Sequence, residues 1–242
     1  MNIKLPSTFE WLCPVDVDDL VRIGGEHDGG YLVPQSVINQ SDCLLSFGLG
    51  EDWTFDEAWH ALHPNDKIHM YDGSAPVRKY SAEMKEKYYN FFVGNREHFY
   101  EHVGPRNDAE NHLRSFNDCV SRINSNNIFV KMDIEGGEFP IINDMLANSD
   151  KILGIVLEVH FCANYPDNFR AVVERFKEFY KIVHFHGNNH THMGQAGITD
   201  CIELTFVRND LCPSTELRRQ VWIDGLDFSN VPGGVDPQYS FE

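Results

Sequence analysis

Carboxylates and imidazoles gather at three places in this 242-residue chain, each at the end of an apolar run. Residues 127–140 read NIFVKMDIEGGEFP, in which Ile128, Phe129 and Val130 lead into Asp133 and Glu135. Gly136 and Gly137 then release the backbone, and Glu138 opens a helical pattern. The second place is Glu158-Val159-His160, and the third is His184-Phe185-His186. Such groups can take a proton, accept a hydrogen bond or ligate a metal. Alone, Asp133 and Glu135 would read as caps of the following helix. Three similar run ends point instead to one pocket, because functional groups of an open parallel sheet collect where strands end. Alternation along a strand puts Glu158 and His160 on one side, and likewise Asp133 with Glu135 and His184 with His186. Asp133, Glu158, His160 and His186 are therefore the expected catalytic set. If a divalent ion such as Mg²⁺ or Mn²⁺ takes part, Asp133, Glu158 and His186 are its expected ligands and His160 takes the proton. Without an ion, His160 or His186 is the base.

Periodicity and turn residues supply the elements that position these groups. Strands are predicted at Cys43–Phe47, Lys67–Tyr71, 90–93, Ile128–Met132, Ile152–Val159, 182–185 and 201–207. Helices are predicted at Thr54–Leu62, 77–89, 111–123, 138–147 and 168–180. The run Ile152–Val159 is almost wholly apolar, as a strand covered on both faces must be. Strands separated by helices imply right-handed crossovers and a doubly wound, mostly parallel α/β sheet with helices on both faces. Residues 187–199 carry no helical pattern, so the seventh strand is expected to enter antiparallel through a hairpin. A single domain is expected, with an N-terminal flap over 1–41, a core over 42–208 and a C-terminal extension over 209–242.

Gly48 and Gly50 follow the first strand directly, and glycines at a strand-to-helix turn let a ligand approach the backbone. The second strand ends in Asp72 and Gly73, and an acid about 20 residues beyond such glycines commonly binds ribose hydroxyls. Together they favour a nucleoside cofactor. A dinucleotide would want GxGxxG and a helix N-terminus facing its pyrophosphate. Here Glu51, Asp52, Asp56 and Glu57 come next and would repel it. S-adenosylmethionine, which carries a sulfonium and an ammonium but no phosphate, suits this acidic turn. The competing readings are an NAD-dependent oxidoreductase on a similar fold and a non-catalytic nucleoside-binding module. Idle buried carboxylates and histidines would destabilise the latter.

Residues 113–138, LRSFNDCVSRINSNNIFVKMDIEGGE, resemble the core signature of FkbM-type S-adenosylmethionine-dependent methyltransferases. Ser115, Phe116, Asn117 and Asp118 match its helical part; Lys131, Asp133, Glu135, Gly136 and Glu138 match its strand-and-turn part. Asp28, Gly29, Gly30 and Tyr31, and the HGNN run at 186–189, recur in a branch of that family. The resemblance implies a Rossmann-like class I methyltransferase fold with a seven-stranded sheet. It also implies methyl transfer to a small-molecule hydroxyl, as on a sugar or nucleotide-sugar in polysaccharide or natural-product synthesis. Its expected cofactor set is Tyr31, Phe47, Gly48, Gly50, Glu51, Asp72, Gly73, Asn95 and Asp133. One departure is Ser46, where many relatives carry an acid for the methionine ammonium; Glu51 or Asp52 is expected to substitute.

A formal net charge of −17 argues against a nucleic-acid partner, which needs clustered Lys and Arg. No apolar run approaches the ~20 residues needed to span a bilayer. The start lacks a basic segment and apolar core, and the six cysteines show no CxxC pairing, so a cytoplasmic protein with free thiols is expected. Homo-oligomerisation is left open.

Overall fold

The computed structural model describes residues 1–242. Seven strands form the central sheet: β1 (Cys43–Phe47), β2 (Lys67–Tyr71), β3 (Arg96–Phe99), β4 (Ile128–Met132), β5 (Ile152–Val159), β6 (Tyr180–Gly187) and β7 (Ile202–Arg208). Their spatial order is β3-β2-β1-β4-β5-β7-β6. Only β7 runs antiparallel to its neighbours. This is a Rossmann-like, methyltransferase-type sheet, and its inserted final strand matches the hairpin entry expected from residues 187–199.

Six α-helices cover the sheet: α1 (Gln35–Gln40), α2 (Thr54–Leu62), α3 (Ala82–Phe91), α4 (Phe116–Ile123), α5 (Ile142–Ala147) and α6 (Pro166–Phe176). Alternation splits each strand between two cores. Cys43, Leu45 and Phe47 of β1 join α4, α5 and α6 through Phe116, Met145 and Phe169 on one face. Leu44 joins α1, α2 and α3 through Ile38, Trp59 and Tyr88 on the other. All eight residues of β5 are buried, which explains its unbroken apolar run. The six cysteines are free and buried, and no helix is long and apolar enough to cross a membrane.

Several predicted boundaries differ, each for a local reason. The third strand is not 90–93. Phe91 packs into the core as the last residue of α3, and the strand starts after Gly94, whose φ is +69°. As an edge strand of Arg, Glu, His and Phe, β3 lacks a continuous apolar signal. The helix predicted at 77–89 breaks into a short 3₁₀ turn at Val77–Lys79 and then α3, because Ser81 caps Met84 N. Within the predicted 111–123, Leu113–Ser115 pairs with His102–Gly104 as a small strand, and α4 starts only where Ser115 caps Asp118 N. The predicted helix 138–147 begins as 3₁₀ at Phe139–Ile141 before α5. The predicted 168–180 starts earlier, at Pro166, and stops at Phe176, giving Tyr180 and Lys181 to β6.

The chain ends pack on each other. Asn2–Leu5 pairs in parallel with Gln238–Phe241. Leu20–Ile23 and Tyr31–Pro34 form a hairpin, and Thr205 Oγ1 of β7 donates to Leu32 O.

The β1 and β4 ends meet at Gly48. With φ at +88°, a Cβ there would lie 1.7 Å from the Asp133 carbonyl oxygen. Gly48→Ala should therefore destabilise the fold by ~3 kcal/mol or more, read by chemical denaturation. Wild-type stability in this variant would show that the close approach carries no constraint.

Candidate functional site

A cleft of about 580 Å³ opens at the carboxyl ends of β1, β2 and β4. The chain leaves β1 for β2 on one side and returns to β4 on the other, so the cleft lies at the sheet's topological switch point. Gly48, Leu49 and Gly50 line it, with Asp72 and Ser74 from β2, His102 and Val103 beyond β3, and Asp133 and Glu135 beyond β4. Asp28 and Gly29 of the N-terminal hairpin close one wall. Gly29 sits so near Asp52 that a Cβ would meet its Oδ2 at 2.8 Å. The hairpin is anchored by Gly25 N donating to Thr54 Oγ1, and by Arg22 donating to the carbonyls of Gly25 and His27.

Asp72 shapes the glycine turn. Its Oδ2 accepts from Leu49 N and Gly50 N, each at 3.0 Å, and its Oδ1 from the amide and hydroxyl of Ser74, each at 2.7 Å. Burial alone would raise its pKa, but these donors outweigh burial and hold the carboxyl below its usual range. Gly73 leaves room for the His102 ring, which a Cβ would meet at 2.5 Å. Glu51 lines the cleft, whereas Phe47 is fully buried and contributes its backbone, accepting from Asp133 N at 3.0 Å.

Asn95 does not belong to this set. Because β3 begins at Arg96, Asn95 lies at the amino end of the sheet, donating to Pro64 O at 3.4 Å and also to Asp66 O. The misplaced third strand had put it at the wrong end.

Asp133, Glu158 and His160 do converge. Asp133, Glu135 and His160 present polar atoms within 4.8 Å of one another, as do Glu158, His160 and Cys201. Imidazole Nδ1 of His160 lies 3.1 Å from Glu138 Oε1, and its Nε2 lies 3.4 Å from Glu135 and 3.8 Å from Glu158. Burial would lower the pKa of this ring, but hydrogen bonding to Glu138 and the charges of Glu138, Glu158 and Asp133 push it up to about 9. Glu158 is pushed up to about 8 by burial, with Asp133 and Glu203 adding repulsion. Its carboxyl is held by Tyr31 Oη at 3.3 Å, Asn188 Nδ2 at 3.2 Å and Cys201 Sγ at 2.7 Å. Tyr31, expected at the cofactor, is buried outside the cleft lining and instead donates to Glu158.

His186 does not join them. The inserted β7 puts Glu203 opposite both Glu158 and His186, one strand from each. The His186 ring is enclosed by Glu203 at 3.4 Å and Asp236 at 2.9 Å. Burial opposes its charge, but Glu203 and Asp236 push its pKa up to about 10. It is a buried ion-pair partner with no free edge to act as base, and the expected metal trio of Asp133, Glu158 and His186 does not form.

No protein-family model matches this chain, and no curated protein does. Among solved structures it is similar to a putative RNA methyltransferase from Pyrococcus horikoshii, with 12% identity, 72% of this chain and 76% of that one covered, and a TM-score of 0.40. It is also similar to a precorrin-6y C5,15-methyltransferase from Geobacter metallireducens, at 12% identity, 72% and 86% coverage and a TM-score of 0.38. A predicted O-methyltransferase from Agrobacterium tumefaciens aligns at 10% identity, 72% and 80% coverage and a TM-score of 0.35. Likeness this distant adds nothing to the fold read from the strand order.

Glu203 had no place in the expected site, and Lys131, Asp56 and Asp28 were matched to motifs without a role. Lys131 is buried, donates to Gly48 O at 2.8 Å and lies 3.9 Å from Asp133. Asp56, near Ser46 and Lys131, supplies an acid on the β1 side; burial pushes it up to about 6 against the pull of Lys131. Glu203 and Asp28 face Glu158, with polar atoms of the three within 4.8 Å of one another. The only sequence signal for Glu203 was an acid inside an otherwise apolar strand.

Two raised pKa values make the site pH-sensitive. The His160 charge stabilises the fold fully below about pH 6.5, and that contribution is lost as pH rises through about 9. Glu158 is stabilised in its protonated form, so ionising it on the way to about pH 8 also weakens the fold. Stability should therefore fall by at least ~2 kcal/mol between pH 6.5 and 9.5, and Glu158→Gln should narrow that fall. Urea titrations showing a flat or rising profile for wild type would sink this account.

Proposed function

We propose that this protein binds S-adenosylmethionine in the switch-point cleft and transfers its methyl group to a hydroxyl of a small molecule. The observation that carries this reading is the charge of the cleft. Asp28, Glu51, Asp52, Asp72, Asp133 and Glu135 line it, and its one lysine, Lys131, is committed to Gly48 O and Asp133. Such a lining suits a sulfonium and an ammonium and repels a pyrophosphate. The Gly48 turn, which has no room for a Cβ, and the rigid Gly48–Gly50 loop held by Asp72 supply a backbone cradle for the nucleoside side. The FkbM-type resemblance of residues 113–138 supports the same reaction, with a sugar or nucleotide-sugar as acceptor.

The bound cofactor would supply a methyl group on a positively charged sulfur, open to in-line attack by oxygen. Asp133 and His160 stand where β4 and β5 end, beside the glycine turn, and orient the acceptor hydroxyl there. A positive charge placed beside Asp133 weakens the hold of His160 on its own proton. The ring then releases its Nε2 proton to solvent and can take the hydroxyl proton at that nitrogen, with Glu135 stabilising the imidazolium that results. No step is assigned to a metal, because His186 is already enclosed by Glu203 and Asp236.

Calorimetry with S-adenosylmethionine and with NAD tests the cofactor. S-adenosylmethionine should bind and NAD should not. Asp72→Asn should weaken S-adenosylmethionine ~10–100-fold, since it removes the charge that clamps Leu49 N and Gly50 N, and losing a charged hydrogen-bond partner typically costs ~1.5–3 kcal/mol. Tighter binding of NAD than of S-adenosylmethionine would overturn the proposal.

A further inference from the structure

We propose that Glu138 is a positioning residue for methyl transfer, fixing the His160 ring with Nδ1 turned inward and Nε2 turned to Glu135 and Glu158. The inference rests on the functional reading above, in which His160 handles the acceptor's proton.

Glu138 is fully buried, and its donors all meet one oxygen, Oε1, while Oε2 has no partner. Its Oε1 accepts from Ile134 N at 3.3 Å, from Gly136 N at 3.1 Å and from His160 Nδ1 at 3.1 Å. One oxygen thus ties the turn after β4 to the residue just beyond β5. The turn itself is unusual, with Glu135 at φ +56° and Gly136 at +96°. Gly136 also lies against Phe161, whose ring a Cβ would meet at 2.4 Å, so the loops beyond both strands are packed edge to edge.

The chemical consequence is a fixed tautomer. Glu138 Oε1 already accepts from two backbone N–H groups and meets His160 as an acceptor, so His160 Nδ1 must carry a proton whenever the contact is made. If the ring loses a proton, it loses it from Nε2. That nitrogen faces Glu135 from the β4 turn and Glu158 from β5, while Asp133 from β4 and Cys201 at the start of β7 complete the surrounding ionisable groups. Carboxylate–imidazole pairs of this kind set the orientation and basicity of a ring rather than react themselves.

The test is nitrogen NMR on ¹⁵N-histidine-labelled protein, with the His160 signals assigned by their loss in His160→Asn. Wild type should show Nδ1 protonated throughout the titration and Nε2 as the titrating nitrogen. Glu138→Gln keeps an oxygen acceptor but removes the charge, so it should keep that tautomer and lower the His160 midpoint by ~1 pH unit or more. Glu138→Ala should let the tautomers mix. In Glu138→Gln, S-adenosylmethionine affinity should stay within about threefold of wild type by calorimetry, since Glu138 lies outside the cleft lining. An unchanged His160 midpoint and tautomer in both variants would overturn the proposal and leave Glu138 as a cap of the turn. Failure of wild type to bind S-adenosylmethionine would instead remove the methyl-transfer reading, and with it the catalytic purpose of the pair. The NMR result would still decide whether Glu138 fixes the ring.

Discussion

Negative charge held at the carboxyl ends of β4, β5 and β7 is the constraint around which this molecule is arranged. Asp133, Glu158 and Glu203 sit on neighbouring strands, with Asp28 facing them from the flap and Glu138 buried just below. Carboxylates this close and this dry cannot all ionise without partners. The fold answers with His160 among Glu135, Glu138 and Glu158, with His186 between Glu203 and Asp236, and with neutral donors from Tyr31, Asn188 and Cys201 to Glu158. What is left facing the cleft is acidic.

The appended ends of the chain serve this arrangement. Tyr31, in the hairpin before β1, is the donor to Glu158, and Asp28 forms part of the cleft wall. From the other end, Asp227 pairs with His184 at 3.1 Å and Asp236 with His186 at 2.9 Å. Asn230 donates to Glu203. Two buried imidazoles of β6 are therefore matched by acids more than 40 residues away in the chain. The parallel pairing of Asn2–Leu5 with Gln238–Phe241 holds both ends in register with that task.

Backbone geometry at two turns connects the charge to the cofactor side. At Gly48 the chain passes against the Asp133 carbonyl, and at Gly136 it passes against the Phe161 ring. Each contact removes the space that a side chain would need, so the strand ends approach closely only because glycine stands there. Asp72 adds hydrogen bonds, clamping Leu49 and Gly50 to the end of β2.

The sequence by itself determined the sheet and most of what lies on it. Apolar runs located β1, β2, β4 and β5 because buried strands need side chains on both faces, and that need is written residue by residue. The glycine turn, Asp72, and the meeting of Asp133 with Glu158 and His160 follow from the same strands. An edge strand carries no such signature, so β3 was misplaced and Asn95 with it. Only the tertiary structure decided the rest. Which strand lies between two others depends on packing, so the insertion of β7 between β5 and β6 set Glu203 beside His186 and kept that residue apart from Asp133 and His160. The partners of His184 and His186 come from C-terminal residues with no periodic pattern, and the protonation of His160 depends on three carboxylates that meet only when the chain is folded. Charge acts through distance in space, and distance in space is what a linear sequence does not record.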